Sequence, residues 1–578
     1  MQIKPQQHSE HATARTILVY EPELAVFVNC LHPAGSLYEC PINPESALAQ
    51  HRNFQKVLQS HGINVLEVCE ILRSNTTDPA QRLELEEYAA QQLTYIGPEE
   101  YASDDYKMKV IKSLSPESLV KVILTAPVVY LEATTNNTNV ITTKTEMRAL
   151  GNIVFTRDQQ ITTAKGVVIG NFSAEQRLGE NALMEFVLKK IGIRPIGRIG
   201  EFTYERHIPI CGGANKLTPK ATIEGGDFIA LNNGIGALGV GLRSSYTAGI
   251  HLMEHDLLGT DKFIIVKDTF DQDQDRMHLD CTCSPLHDKL ILIDEEILIN
   301  PDKLRYVDEW VHLGGYSDEH KSFYALNEKR TNIELKQYLE QSGYSIIAIP
   351  HKYQLAYGCN MLHLGFTDGA FHILTVHEES KLFIERHPVF KTYCQKNNIR
   401  IVVEYVPFRS ITSMYGSLHC ATQVLERDVP TAAIDKCNSQ VLNDEKLFDA
   451  ALFIPTFFAS KETIKEVYEL YEKLRKEGKN VYLINKYKIT ELISFKNLNA
   501  KNVEGLLAEI YGKSAKKHFI QPKKQDGAVT AIERDGLSLD DILYILRPPY
   551  PYDVPDYAYP YDVPDYAYPY DVPDYAGP

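Results

Sequence analysis

Four short segments of this sequence bring reactive or charged side chains to points where turns meet strands. They are Phe155-Thr156-Arg157-Asp158, Glu224-Gly225-Gly226-Asp227, Met277-His278-Leu279-Asp280-Cys281 and Gly416-Ser417-Leu418-His419-Cys420. Each alone has an ordinary reading, since Asp forms turns, Gly-Gly makes tight ones and a strand His usually packs into a core. Together they supply a thiol, an imidazole and several carboxylates. That set suits nucleophilic attack on a cationic carbon: the carboxylates bind the cation, the thiolate attacks and the imidazole moves protons. His278 and Asp280, two residues apart in an expected strand, fall on one face and enter one pocket together. Cys420 follows a glycine-containing turn, a suitable place to present a thiol.

Three other chemistries compete for these residues. His278, Cys281, Cys283 and His287 could suggest zinc, but a structural zinc site draws on two paired ligand clusters and only one is present. Asp271, Asp273 and Asp275 open like a calcium loop, yet Arg276 and Thr282 stand where that loop needs Gly and Glu. Gly234-Ile-Gly236-Ala-Leu-Gly239 matches a dinucleotide fingerprint, with Glu254 and Asp256 downstream. Its context is Asn-Asn-Gly between two apolar runs, which predicts a hairpin instead of a strand opening a helix.

The elements that must hold these segments alternate. From 128 to 428, short strand runs such as GVVIGNF, KFIIVKD, YSIIAIP and FHILTV are separated by Gly/Asn turns and amphipathic helices, one of them spanning 174–191. Such alternation means an α/β fold. No fixed-period repeat is visible. Before it, residues 16–30 read as strand or strand pair, 54–61 as helix and 62–68 as strand. Residues 78–127 read as a small helical insertion: AQRLELEEYAAQQLTYI is rich in helix formers, and Ser115-Pro116-Glu117 is a helix start. Residues 429–547 turn Lys-rich and form an additional α/β domain of unassigned role, with FDAALFIPTFF, a charged helix and NVYLI as one βαβ unit and VEGLLAEIYGK as a further helix. The charged helix reads as a solvated face. Residues 548–578 are linker and three copies of YPYDVPDYA, identical to a haemagglutinin epitope tag and excluded from the fold.

The tag carries six Asp and no base, so removing six acids from a net charge of −16 leaves −10. What remains, about 547 residues, suits two or three domains. The acidic balance argues against nucleic acid as the main partner and permits a cationic substrate. Composition is 44% hydrophobic and 24% charged, with no apolar run of membrane-spanning length. The N-terminus lacks an apolar signal core, so the three Asn-X-Ser/Thr sequons read as chance. The ten scattered cysteines fit a reducing compartment. A cytoplasmic location is expected, with organelle association left open.

FTRDQ, EGGD, HLDC, GCN (Gly358-Cys359-Asn360) and GSLHC, in this order and at these separations, resemble the arginine deiminase family, in particular its long protist branch with an extra C-terminal domain. The resemblance runs from about Arg15 to Asp428. It implies a five-bladed α/β propeller of ββαβ modules around a polar pocket. It also implies a reaction without cofactor or metal: Cys420 attacks the guanidinium carbon, His278 protonates the departing ammonia, and the resulting amidino-thioether is hydrolysed to citrulline by water that His278 activates. Asp158, Asp280 and Glu224 are then expected to hold the guanidinium, with Glu224 also pairing with His278, and the carboxylates to keep free Cys420 mainly a thiol. Arg177, Arg243 and Asn360 are expected at the amino-acid end of the substrate. L-arginine and water are the expected partners, in a homo-oligomer. Tyr415 stands in the region where bacterial members carry a further arginine, and Arg409 is nearby but not aligned, which leaves an arginine at a peptide end open as a substrate. An amidinotransferase or a peptidyl-arginine deiminase of the same fold is the alternative, and a non-catalytic propeller binding protein would lack the Cys, His and carboxylate set.

Overall fold

The computed structural model describes residues 3–133, 141–200, 221–232 and 234–429, and three short strands beyond them. The chain divides into two compact units, Met1–Ala433 and Ile434–Pro578. The first is mixed α/β. Five of its sheets share one pairing rule: two antiparallel strands, a helix-bearing connection, and a third strand parallel to the second.

The first module borrows its opening strand from the far end of the unit. Gln423–Arg427 is antiparallel to Ala14–Val19, which is parallel to Asn64–Glu67. The second uses Gln160–Thr162, Val167–Ile169 and Gly197–Arg198, and the third Phe228–Asn232, Ile235–Val240 and Lys262–Asp268. The fourth uses Cys283–His287, Leu290–Asp294 and Ser345–Ile349, and the fifth Leu362–Thr367, Ala370–Thr375 and Ile401–Tyr405. The third sheet is widened by Arg305–Ser317 and Ser322–Leu326. Each parallel step needs a crossover, because a tight turn can join only antiparallel neighbours.

In the first module that crossover contains the helix Pro44–Ser60. Asn43 caps it by accepting from the Ser46 N–H at 2.7 Å, with Pro44 in the first turn. Its buried Ala47, His51, Phe54 and Leu58 recur at helical spacing, and Ala47, Phe54 and Leu58 share a hydrophobic cluster with Ile17 and Leu18 of the sheet.

Several local expectations change. Leu24–Cys30 is a helix, not a strand, and it buries Ala25 and Val26; packing outweighs the β preference of its valines. The helix expected through residue 96 is Pro79–Gln92. It gives way to a strand, Thr94–Ile96, that pairs parallel to Val128–Ala133. The helix Pro116–Thr125 starts where Ser115 caps it. Leu85, Ala89, Leu119 and Ile123 of the insertion share a hydrophobic cluster with Ile17, Leu18 and Met184. The suspected dinucleotide motif lies on an antiparallel pair, Phe228–Asn232 with Ile235–Val240, so the hairpin reading holds.

In the second unit Ala450–Ile454 is parallel to Val481–Asn485, which is antiparallel to Thr530–Ile532. The charged helix expected between the first two strands, the helix expected after them and the tag lie outside the described residues. Among the described residues no helix is long and apolar enough to cross a membrane.

Candidate active site

A segment carrying candidate site residues leads into the first strand of every module. Asp158 precedes Gln160–Thr162, Glu224 precedes Phe228–Asn232, and His278 and Asp280 precede Cys283–His287. Asn360 precedes Leu362–Thr367 and Cys420 precedes Gln423–Arg427. Five equivalent positions thus supply one site. His278 and Asp280 do not sit on a strand as expected: His278 is extended, and Leu279–Cys281 is a single 3-10 turn. Both still join the same group of residues, because that turn lifts Asp280 towards Cys420.

Cys420 is 3% exposed. Its Sγ receives a hydrogen bond from Asn360 Nδ2 at 3.1 Å and donates to Asp280 Oδ2 at 3.6 Å. Asn360 Oδ1 accepts from the Cys420 backbone N–H at 3.3 Å. Asn360, expected at the amino-acid end of the substrate, instead meets the Cys420 thiol and backbone. Burial, then the carboxylates of Asp280 and Asp158, push the Cys420 thiol well above its ordinary range.

His278 Nε2 and Glu224 Oε2 are 2.9 Å apart and buried. Burial alone would discharge the imidazole, but Asp158, Glu224 and Asp227 outweigh it and raise His278 to about 10. Burial likewise opposes the Glu224 charge, yet the His278 hydrogen bond and the positive charges of His278, Arg177 and Arg243 lower it to about 2. The two shifts agree on an ion pair in which His278 donates from Nε2. Its Nδ1 is buried 3.9 Å from Asp158 Oδ1, and neither atom has a hydrogen-bond partner among the described residues. A buried donor and a buried acceptor left unpaired are costly unless something arrives to use them.

Asp158 Oδ2 is held by Arg177 Nη1 at 2.9 Å, and Arg177 also binds Glu180 at 2.9 Å and the Asn152 carbonyl at 3.2 Å. Arg243 reaches Gln274 Oε1 at 3.0 Å, and its Nε has no partner among the described residues. Asp158, Arg177, Glu224, Arg243, His278 and Cys420 line one pocket bordered by Phe155 and Tyr415. Asp280 meets the Cys420 thiol, and His419 Nδ1 lies 2.8 Å from its Oδ2 and keeps it ionised against burial.

Sequence reasoning passed over Asp227, His419, Glu180 and Asn152. The first two lie inside the quoted EGGD and GSLHC segments, so the signal was present without a role attached. Asp227 accepts from the Leu279 N–H at 3.0 Å, and burial pushes its carboxyl up to about 7. Glu180 carried no signal beyond being an acid three residues after Arg177.

Residues 35–427 match the arginine deiminase family. An arginine deiminase from Pediococcus pentosaceus is 21% identical over 314 residues, which cover 52% of this chain and 70% of the relative. Among solved structures, SxtG, an amidinotransferase from Microseira wollei in the saxitoxin biosynthetic pathway, is 14% identical with a TM-score of 0.40, covering 74% of this chain and 98% of its own. The N-terminal domain of ArgZ, an arginine dihydrolase from the ornithine–ammonia cycle in cyanobacteria, is 12% identical with a TM-score of 0.38, covering 71% and 97%. The family match runs over more than half of the chain and through all five functional segments: this protein belongs to the arginine deiminase family.

Proposed function

We propose that this protein hydrolyses L-arginine to L-citrulline and ammonia through a covalent intermediate on Cys420. The observation that carries this reading is the unpaired His278 Nδ1 facing the unpaired Asp158 Oδ1 at 3.9 Å in the wall of the cavity that Cys420 also lines. A guanidinium suits Asp158 Oδ1, because it keeps its charge at physiological pH and presents N–H donors in a plane, while His278 Nδ1–H is a proton donor for the nitrogen that departs. Asp158 and Asp280 take those donors, and Glu224 adds charge while holding His278.

Binding the cation offsets the carboxylate field and lets Cys420 ionise. The thiol proton goes to solvent, Sγ bonds to the guanidinium carbon, and His278 gives its Nδ1 proton to the departing nitrogen and is left neutral. Ammonia leaves, and an amidino-thioether carrying the rest of the substrate remains. His278 then takes a proton from water. The hydroxide adds to the same carbon, the C–S bond breaks, and citrulline is released with Cys420 restored. Asn360 orients the thiol. Arg243 has donors to spare for the substrate carboxylate, with Arg177 adding positive charge beside it. The equivalent placement of five segments and the pairing of the unit's last strand with its first support five modules closing around the site as propeller blades.

The test is product analysis with free arginine and glycine together. Citrulline and ammonia in equal amounts are expected. A new guanidino compound formed from glycine would replace this reading with amidino transfer, and no product from free arginine but turnover of a peptide ending in arginine would move it to a larger substrate past Tyr415.

A further inference from the structure

Away from the Cys420 pocket, His61, His372 and Glu404 come together from distant parts of the sequence, each offering one ligand atom within 4.8 Å of the others. His61 is the first residue after the helix Pro44–Ser60, its backbone N–H held by the Leu58 carbonyl at 3.2 Å. His372 and Glu404 stand on neighbouring parallel strands of the fifth module, where Leu374 pairs with Glu404 and His372 with Val402. The two therefore share a sheet face. Glu404 divides its carboxylate between them: Oε1 lies 2.5 Å from His372 Nδ1 and Oε2 3.3 Å from His61 Nε2. The imidazole centroids are 4.8 Å apart.

We propose that these three side chains form a binding site for a divalent transition cation of the zinc class. Two imidazole nitrogens and one carboxylate are a usual three-ligand set for it, with water in the fourth position. Ligand bonds of about 2.1 Å in a tetrahedron put neighbouring donors roughly 3.4 Å apart, so side-chain shifts of about 1 Å suffice. The cation takes the place of the hydrogens between the two imidazoles and Glu404, and each imidazole carries its proton on the other ring nitrogen. Side-chain exposures of 13%, 14% and 31% leave a path for the ion and room for water. The ligands come from the first and fifth modules, so the ion ties a helix end of one to the strands of the other. A proton-held His–carboxylate clasp explains the same hydrogen bonds but binds no metal.

Titration of the full chain with zinc chloride, followed by calorimetry, separates the two. One equivalent should be present in wild type and weakened at least about tenfold by either His61→Ala or His372→Ala, with Glu404→Gln as the variant that best preserves shape. Zinc should raise the thermal midpoint of wild type but not of these variants. Cobalt bound at this site should show no thiolate charge-transfer absorption, which distinguishes it from binding at cysteines. Equal zinc stoichiometry and affinity in wild type and all three variants would overturn the proposal, as would a thiolate band for the equivalent that the variants lose. Citrulline formation is unchanged in all three variants, so a failed metal titration leaves the arginine reaction untouched.

Discussion

Glu224 and His278 exchange a charge that neither could keep alone in so buried a place. The imidazole, raised from 6.5 to about 10, contributes stability that is complete below pH 6.5 and is lost as pH rises through 10. The carboxylate, lowered from 4.5 to about 2, contributes stability present above pH 4.5 and lost as pH falls through 2. Glu224→Gln should therefore cost about 3 kcal/mol where both are intact, between pH 4.5 and 6.5, and less outside that window on either side. Chemical denaturation of both proteins across pH measures this, and a pH-independent difference would contradict it. Cys420 obeys the opposite logic. In substrate-free enzyme its thiolate absorbance, taken as wild type minus Cys420→Ala, should appear only above pH about 9. A titration well below pH 7 would show that the carboxylates do not control the thiol. The types of these residues were legible in the sequence. Their partners were not: nothing in the spacing of Asn360 and Cys420 says that one amide contacts both the Sγ and the backbone of the other.

At the scale of elements, the turns before the first strands set the geometry. Gly225 shows how tightly: a Cβ there would lie 1.9 Å from the Arg157 carbonyl oxygen and 2.5 Å from that of Gln160. Both obstacles are backbone, so Gly225→Ala must displace either the Asp158 turn or Glu224. Citrulline turnover should fall by at least about a hundredfold, since small misplacements of catalytic groups cost that much. Activity within a few-fold of wild type would mean that this contact does not fix the site. Local chemistry made some elements readable, as with the Ser115 cap and the Asn-Asn-Gly hairpin. It failed where packing decides. The Leu24–Cys30 helix carries strand-forming residues, and the 3-10 turn at Leu279–Cys281 replaces a strand that the alternation of His278 and Asp280 suggested.

At the scale of the molecule, the fivefold repeat of the pairing rule escaped the sequence because it is not periodic along the chain. The first module takes its opening strand from residues 423–427, and the fourth is interrupted by strands that join the third sheet. Every candidate catalytic residue lies in the unit Met1–Ala433, and among the described residues no strand after 433 pairs with these five sheets. A chain ending at residue 433 should fold and keep kcat within about threefold. Soluble, folded but inactive protein would assign the second unit a part in catalysis. The most direct test of the account remains arginine turnover by wild type and Cys420→Ala, with citrulline measured and the Cys420 peptide weighed after acid quench. Wild type should release citrulline and carry on Cys420 the mass of arginine less ammonia. The variant should do neither, and citrulline from Cys420→Ala at a comparable rate would contradict thiol catalysis outright.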